Sequence, residues 1–229
     1  IWGEQKNVVK FLIDNNANSN QKNKVGLDAF AYALGGGHID IAELLLSKGA
    51  QINGKNNTGI TPLHFCVRQE ELESVKFLIS HGAKINATVL NLPVRGILST
   101  PLHTAVITGN LKITRTLINN GAKINVQDPE GLTPLHYAVS EGNAEMVKLL
   151  LEEGAKVNAK DDEGSTPLQK KKKKGSKEIM KLLLERGAEL DAENVNGETP
   201  YDIAMKVRRR NIAQWIRHLQ EDSEPNAVP

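Results

Sequence analysis

The 229-residue sequence has a single cysteine, Cys66, which excludes an internal disulfide framework and any cysteine-built zinc site. A reducing compartment, cytoplasmic or nuclear, is the expected setting. Aromatic residues make up 4% of the chain, too few for an aromatic-rich sandwich, while 39% hydrophobic content supports a core of Leu, Ile, Val and Ala under short helices. No apolar run approaches the roughly 18 residues of a membrane span, and the start lacks the charged-then-apolar order of a secretory signal. No Gly-rich phosphate loop and no His-Glu metal helix motif occurs. Net charge is +2, so charge over the whole chain favours no partner. Its distribution is uneven: residues 1–164 carry 16 basic and 17 acidic side chains, and residues 165–219 carry 13 and 7.

What the chain does have is a repeat. A helix-opening motif begins at Asp28, Thr61, Thr100, Thr133, Thr166 and Thr199, at intervals of 33, 39, 33, 33 and 33 residues. Three copies read Thr61-Pro62-Leu63-His64, Thr100-Pro101-Leu102-His103 and Thr133-Pro134-Leu135-His136. The Thr hydroxyl can accept a free backbone N–H at a helix start, and Pro at the first helical position has the right φ and no N–H to leave unpaired. A second helix follows at constant offset, as in Ile41–Leu46, Val75–Ile79 and Met146–Leu151. Each ends at a Gly-Ala pair (Gly49, Gly82, Gly121, Gly154, Gly187), where glycine supplies the left-handed residue that closes a helix.

This pattern resembles the ankyrin repeat over about residues 3–219. The resemblance implies an all-α solenoid of stacked helix-turn-helix units with projecting hairpin loops, in which no unit buries its apolar face alone. The expected organisation is a repeat domain over 1–219, with a partial first unit over 1–20 and units starting near residues 21, 54, 87, 126, 159 and 192. The first unit, read as a lone second helix from Val8 to Asp14, leads to the expectation of further repeats upstream. A capping helix around Ile212–Leu219 and a disordered tail over 220–229 are expected at the other end.

Three departures stand out. Asp28-Ala29-Phe30-Ala31 lacks Thr, Pro and His, although Asp can still cap. Residues 87–99 hold six extra residues and an apolar set (Val89, Leu90, Leu92, Val94, Ile97, Leu98), read either as packing on neighbours or as a contact finger for a partner. Lys171 and Lys172 occupy slots filled elsewhere by Ala and Val, so this first helix is expected to be displaced or frayed, because a buried unpaired ammonium costs several kcal/mol.

The resemblance assigns His64, His103 and His136 to a structural bridge with the Thr hydroxyl. Cys66 falls in a small-residue core slot, which argues against a nucleophile. No catalytic constellation, cofactor or metal site is expected, and the chain reads as a binding module, not an enzyme. Carried over by position, the concave recognition face comprises Phe65, Arg68 and Gln69; Thr104, Ile107 and Thr108; Tyr137, Ser140 and Glu141; and Lys170, Lys173 and Lys174. Ile203 and Lys206 extend it, and Thr58, Ile60, Glu130, Leu132, Glu163 and Ser165 are hairpin-tip candidates. Phe65, Ile107 and Tyr137 are the expected anchors for a protein or peptide partner. The basic residues near the C-terminal end, with Arg208–Arg210, would suit an acidic segment of that partner. Basic residues without interleaved aromatics argue against nucleic acid. The other readings are a regulatory or targeting module of a larger enzyme or channel, and attachment to acidic polymers. A monomer is expected.

Overall fold

In a computed structural model of the chain, residues 2–15, 17–89, 99–170 and 176–223 are described. The chain forms two compact units, Ile1–Lys123 and Ile124–Pro229. Unit 1 holds α1 (Trp2–Asp14), α2 (Ala29–Gly35), α3 (Ile39–Ser47), α4 (Pro62–Arg68), α5 (Leu72–Ser80), α6 (Pro101–Thr108) and α7 (Leu111–Asn119). Unit 2 holds α8 (Pro134–Glu141), α9 (Ala144–Glu152), a 3-10 turn (Pro167–Gln169), α10 (Ser176–Leu184), α11 (Pro200–Lys206) and α12 (Arg210–Ser223). No strand occurs among the described residues.

Each helix-opening residue lies one position before a helix or turn, and its own backbone is extended, as a cap requires. Asp28 does cap, its Oδ1 accepting the Ala31 N–H at 2.9 Å. Within unit 1 the first helices stack on one another (α2 on α4, α4 on α6) and so do the second (α1 on α3, α3 on α5, α5 on α7). Leu34, Leu45, Leu63, Leu78, Leu102, Ile113 and Leu117 are fully buried between these layers. Each contributes about 1.5–3 kcal/mol, and in an isolated helix pair much of that burial would be absent. In unit 2, Leu135, Met146 and Leu150 play the same part, α9 packs on α10, and α11 pairs with α12.

Two side-chain devices hold successive repeats together. The first closes each hairpin. Oδ1 of Asn23, Asn56, Asp128, Asp161 or Asn194 accepts the N–H groups two and four residues on, at 2.8–3.1 Å. The second clamps one unit to the next: Asn53, Asn86, Asn125 and Asn158 each donate to the carbonyl of the following unit's closing glycine and accept the N–H two residues beyond it. Those glycines have φ of 82–94°, the left-handed region the sequence reading gave them. The tight turn between paired helices is left-handed too. Gly37, Gly109 and Gly142 occupy it, but Glu70 (φ 61°) and Arg208 (φ 58°) adopt the same backbone at some steric cost.

Several expectations need adjusting. The first helix begins at Trp2, not Val8, and leaves Val8, Phe11 and Leu12 exposed on one stripe. The last helix runs to Ser223, so residues 220–223 are helical; 224–229 lie outside the described residues. The insertion falls inside a hairpin whose mouth is the bond from Val89 N–H to Ser99 C=O (2.8 Å). Val89 takes the position held by Asn or Asp elsewhere and packs against Ile60 and Phe65, while 90–98 lie outside the described residues. In the lysine-bearing unit the first helix is a single 3-10 turn ending at Gln169, after which Lys170 is extended (φ −68°, ψ 143°). Lys171–Lys174 lie outside the described residues.

Candidate partner-binding surface

The fourth residue of the opening motif fixes the start of each first helix and its link to the next hairpin. Nδ1 of His64, His103 and His136 lies 2.9–3.0 Å from Oγ1 of Thr61, Thr100 and Thr133. In His136 the Thr133 N–H also donates to Nδ1 (3.1 Å), so the proton is on Nε2, which reaches the Ser165 carbonyl at 3.1 Å. Burial lowers the His136 pKa and takes that of His64 to about 4. The Ser99 and Ala87 carbonyls act against the His64 shift without closing a hydrogen bond to Nε2, which has no partner. Both imidazoles are therefore neutral structural groups at pH 7. Gln169 does part of this work with an amide: Oε1 accepts the Thr166 N–H (2.8 Å) and Nε2 donates to the Glu198 carbonyl (2.7 Å), while the buried Thr166 Oγ1 finds no partner among the described residues. Cys66 is fully buried, and burial, reinforced by Glu71, pushes its thiol well above the ordinary range, which leaves no thiolate for nucleophilic chemistry. Among the described residues no group of three His, Cys, Asp or Glu side chains could hold a metal, and no helix is long and apolar enough to cross a membrane.

One turn beyond the cap, a side chain points along the flank of its hairpin. Tyr32, Phe65, Thr104, Tyr137, Lys170 and Ile203 hold this position. The Tyr32 hydroxyl accepts from Asn23 Nδ2 (2.9 Å), and its ring meets Phe65 edge-on, centroids 6.0 Å apart. Phe65 is half-buried on Ile60 and Val89, and a Cβ on Gly35 would stand 2.2 Å from its ring, so the glycine leaves room for it. Tyr137 is half-buried and donates to Asp128 Oδ2 at 2.6 Å; burial and that carboxylate raise its phenol pKa. Thr104 does not lie on the surface as expected. It is fully buried, its hydroxyl donating to the Thr100 carbonyl at 3.3 Å, because so short a side chain does not clear its surroundings as a ring does.

The remaining recognition candidates divide. Arg68 and Gln69 are exposed at the end of α4, Ile107 and Thr108 are half-exposed at the end of α6, and Ser140 and Glu141 are half-exposed at the end of α8. The Thr108 hydroxyl is engaged by its own helix at the Ala105 carbonyl. Of the tip residues, Thr58, Glu130, Leu132 and Glu163 keep some exposure, but Ile60 and Ser165 are buried. Lys170 is not a free cation: its ammonium is paired with Asp161, whose side chain is 2% exposed. Lys206 is paired with Glu198 at 2.6 Å. Lys173 and Lys174 lie outside the described residues. The basic C-terminal end is thus partly neutralised within the chain.

Each unit has a solvent-open concavity at equivalent places, between two hairpins and the helix that follows. In unit 1 it measures about 370 Å³, with Lys24, Val25 and Leu27 on one hairpin, Asn56, Asn57, Thr58 and Ile60 on the next, and Phe65 and Arg68 from α4. In unit 2 it measures about 320 Å³, with Pro129, Glu130 and Leu132, then Asp161, Asp162 and Glu163, and Lys170 where unit 1 has Phe65. A third recess, of about 30 Å³ among Leu168, Met180, Ile203 and Ile212, is a water-sized packing gap. Sequence periodicity pointed to Phe65 and Arg68 but missed Val25, 55% exposed, and Lys24, because the first hairpin lies in the unit with the least regular motif.

Helix pairs at this spacing, hairpins closed by Asx side chains and the Thr-His bridge define an all-helical repeat fold. The family model for ankyrin repeats matches in three copies, over residues 2–89, 93–161 and 157–228. The chain belongs to the ankyrin-repeat family. It is similar to the crystal structure of the human ASB11 ankyrin repeat domain, with 29% identity, a TM-score of 0.72, and coverage of 87% of this chain and 86% of that one. No curated protein sequence matches it. Ankyrin repeats are generally protein–protein interaction modules, and the fold is typically non-catalytic.

Proposed function

We propose that this chain binds a protein partner by holding an extended segment of it in the hairpin-edged concavity of unit 1. The observation that carries the reading is an open hollow of about 370 Å³ in which the half-buried ring of Phe65 and the exposed side chain of Val25 are presented to solvent beside Arg68. Rigid walls closed by internal hydrogen bonds would cost little ordering on binding, and an apolar floor with a polar rim is the usual anatomy of a peptide site. Gln69, Ile107 and Thr108 are candidates for further contacts in unit 1, and Tyr137, Ser140 and Glu141 are separate contact candidates in unit 2.

The test is selection of binding peptides from a random displayed library against the full chain, followed by re-measurement with Val25→Glu. Val25 is an exposed hairpin residue, so its replacement leaves the core intact. Selected peptides should lose at least about tenfold in affinity for this variant and none for Val195→Glu, an exposed valine of unit 2. Peptides that bind both variants as tightly as the parent would refute the assignment.

A further inference from the structure

Building on that reading, we propose that the segment held by unit 1 is acidic: a large apolar side chain seats between Val25 and Phe65, and flanking Asp or Glu carboxylates reach Lys24 and Arg68. The charged side chains lining the hollow are Lys24 and Arg68, both cationic, and neither forms an ion pair with a described residue. Among the described residues no carboxylate lines it. The carboxylate closest to Arg68 along the chain, Glu70, receives the side-chain amide of Asn110 at 3.1 Å. Asp28, on the first hairpin, is occupied in capping α2.

Two further observations give the sign weight. Unit 1 as a whole carries 13 basic and 8 acidic side chains, net +5, whereas unit 2 carries 16 and 19, net −3. Unit 1 is net positive as a whole, so it attracts an acidic chain from a distance as well as at contact. The hollow of unit 2 is a built-in comparison, since it is the same construction and its described hairpin residues are acidic. Where unit 1 has Val25, Asn57 and Thr58, unit 2 has Glu130, Asp162 and Glu163, and its lysine is neutralised by Asp161. Solvated hairpin tips accept either sign without cost to the fold, so the fold does not dictate two free cations around an apolar floor. Such an arrangement selects against basic segments by repulsion as much as it favours acidic ones.

A polyanion such as single-stranded nucleic acid would find the cations but little ring surface to stack on, since Phe65 is half-buried on Ile60 and Val89. The Tyr32 ring is met edge-on by Phe65, and its hydroxyl is held by Asn23. At about 370 Å³ the hollow takes one or two side chains, which suits a linear segment.

The experiment is random-peptide display against the full chain and against Lys24→Glu/Arg68→Glu, two surface changes whose effect on folding is checked by circular dichroism. Selected peptides are then synthesised, and affinities are measured at about 50 mM and about 500 mM salt. The parent should select an apolar residue flanked by Asp or Glu. The charge-reversed protein should bind those peptides at least about tenfold more weakly and select Lys or Arg flanks instead, and added salt should weaken binding to the parent. Neutral or basic flanks that still lose affinity with Val25→Glu would overturn the acidic assignment and leave the hollow as the binding site. Peptides indifferent to all these changes, or no selected peptides at all, would overturn both. An oligothymidylate or phosphatidylserine vesicles bound by the parent, lost on charge reversal and preferred over the acidic peptides, would overturn the acidic-peptide assignment in favour of a different class of partner.

Discussion

Lys170 shows how one substitution changes the work of a position. Its equivalents Tyr32, Phe65 and Tyr137 are rings on the hairpin flank, and Tyr137 already reaches the hairpin aspartate, Asp128. Lys170 makes the corresponding contact as an ion pair with Asp161, whose Oδ1 also accepts the Glu163 and Ser165 N–H groups. Removing the lysine would leave a buried carboxylate short of its counter-charge. Lys170→Met is therefore expected to cost about 2–4 kcal/mol, at the lower end because the lysine side chain is itself 19% exposed. Adding Asp161→Asn should restore most of the loss, since Asn23, Asn56 and Asn194 close their hairpins with the same two bonds. Urea unfolding of the two variants decides it: a single variant as stable as the parent would show that the pair contributes nothing. The ion pair was not legible in the sequence, where Lys170 read as part of the recognition face. The signal was present in Asp161, the hairpin residue next to a motif with lysine where Tyr32, Phe65 and Tyr137 stand in three other units.

At the scale of elements, the first helices were legible because their starts are written in short-range chemistry. The caps at Thr61, Thr100, Thr133, Thr166 and Thr199 each stand one residue before the element they open. The clamps were not, since Asn53, Asn86, Asn125 and Asn158 sit in polar turns and their partners are 29 to 37 residues away. Only their recurrence at the repeat interval hints at a shared role. The motif that ends early is the informative exception. Opening at Thr166 with an extended cap residue whose N–H is bonded to Gln169, it yields three residues of 3-10 turn where α8, from the equivalent start, runs for eight. Capping thus starts a helix, but the apolar face sustains it, and Lys171 and Lys172 stand where α8 has Ala138 and Val139. Lys171→Ala with Lys172→Val is expected to extend this helix, raising helical circular dichroism and the thermal midpoint by several degrees, on the order of 1–2 kcal/mol. An unchanged spectrum and midpoint would mean that something other than the two lysines limits it.

For the molecule as a whole, buried imidazoles make stability depend on pH, His64 in unit 1 and His136 in unit 2. His64 and His136 are held neutral by burial, and His64 titrates near 4 in the folded chain against 6.5 for an ordinary imidazole. Between those values the unfolded chain binds protons that the folded chain excludes. The stability they contribute is therefore complete above about pH 6.5 and is lost as pH falls toward 4, by an amount on the order of 3 kcal/mol for His64. Carboxylates titrate in part of the same range, so the imidazole share needs isolating, and the chain supplies the means. Gln169 already bridges its threonine and the next hairpin through an amide that cannot titrate. His64→Gln with His136→Gln should therefore keep the bond to each Thr N–H, and the His136 link to its hairpin, at modest cost near pH 7, about 1–2 kcal/mol in sum. Urea midpoints taken from about pH 7 down to about pH 4.5 should then fall less steeply for the double variant than for the parent. Parallel curves would mean that these histidines titrate alike in the folded and unfolded chains, and that the acid sensitivity lies elsewhere.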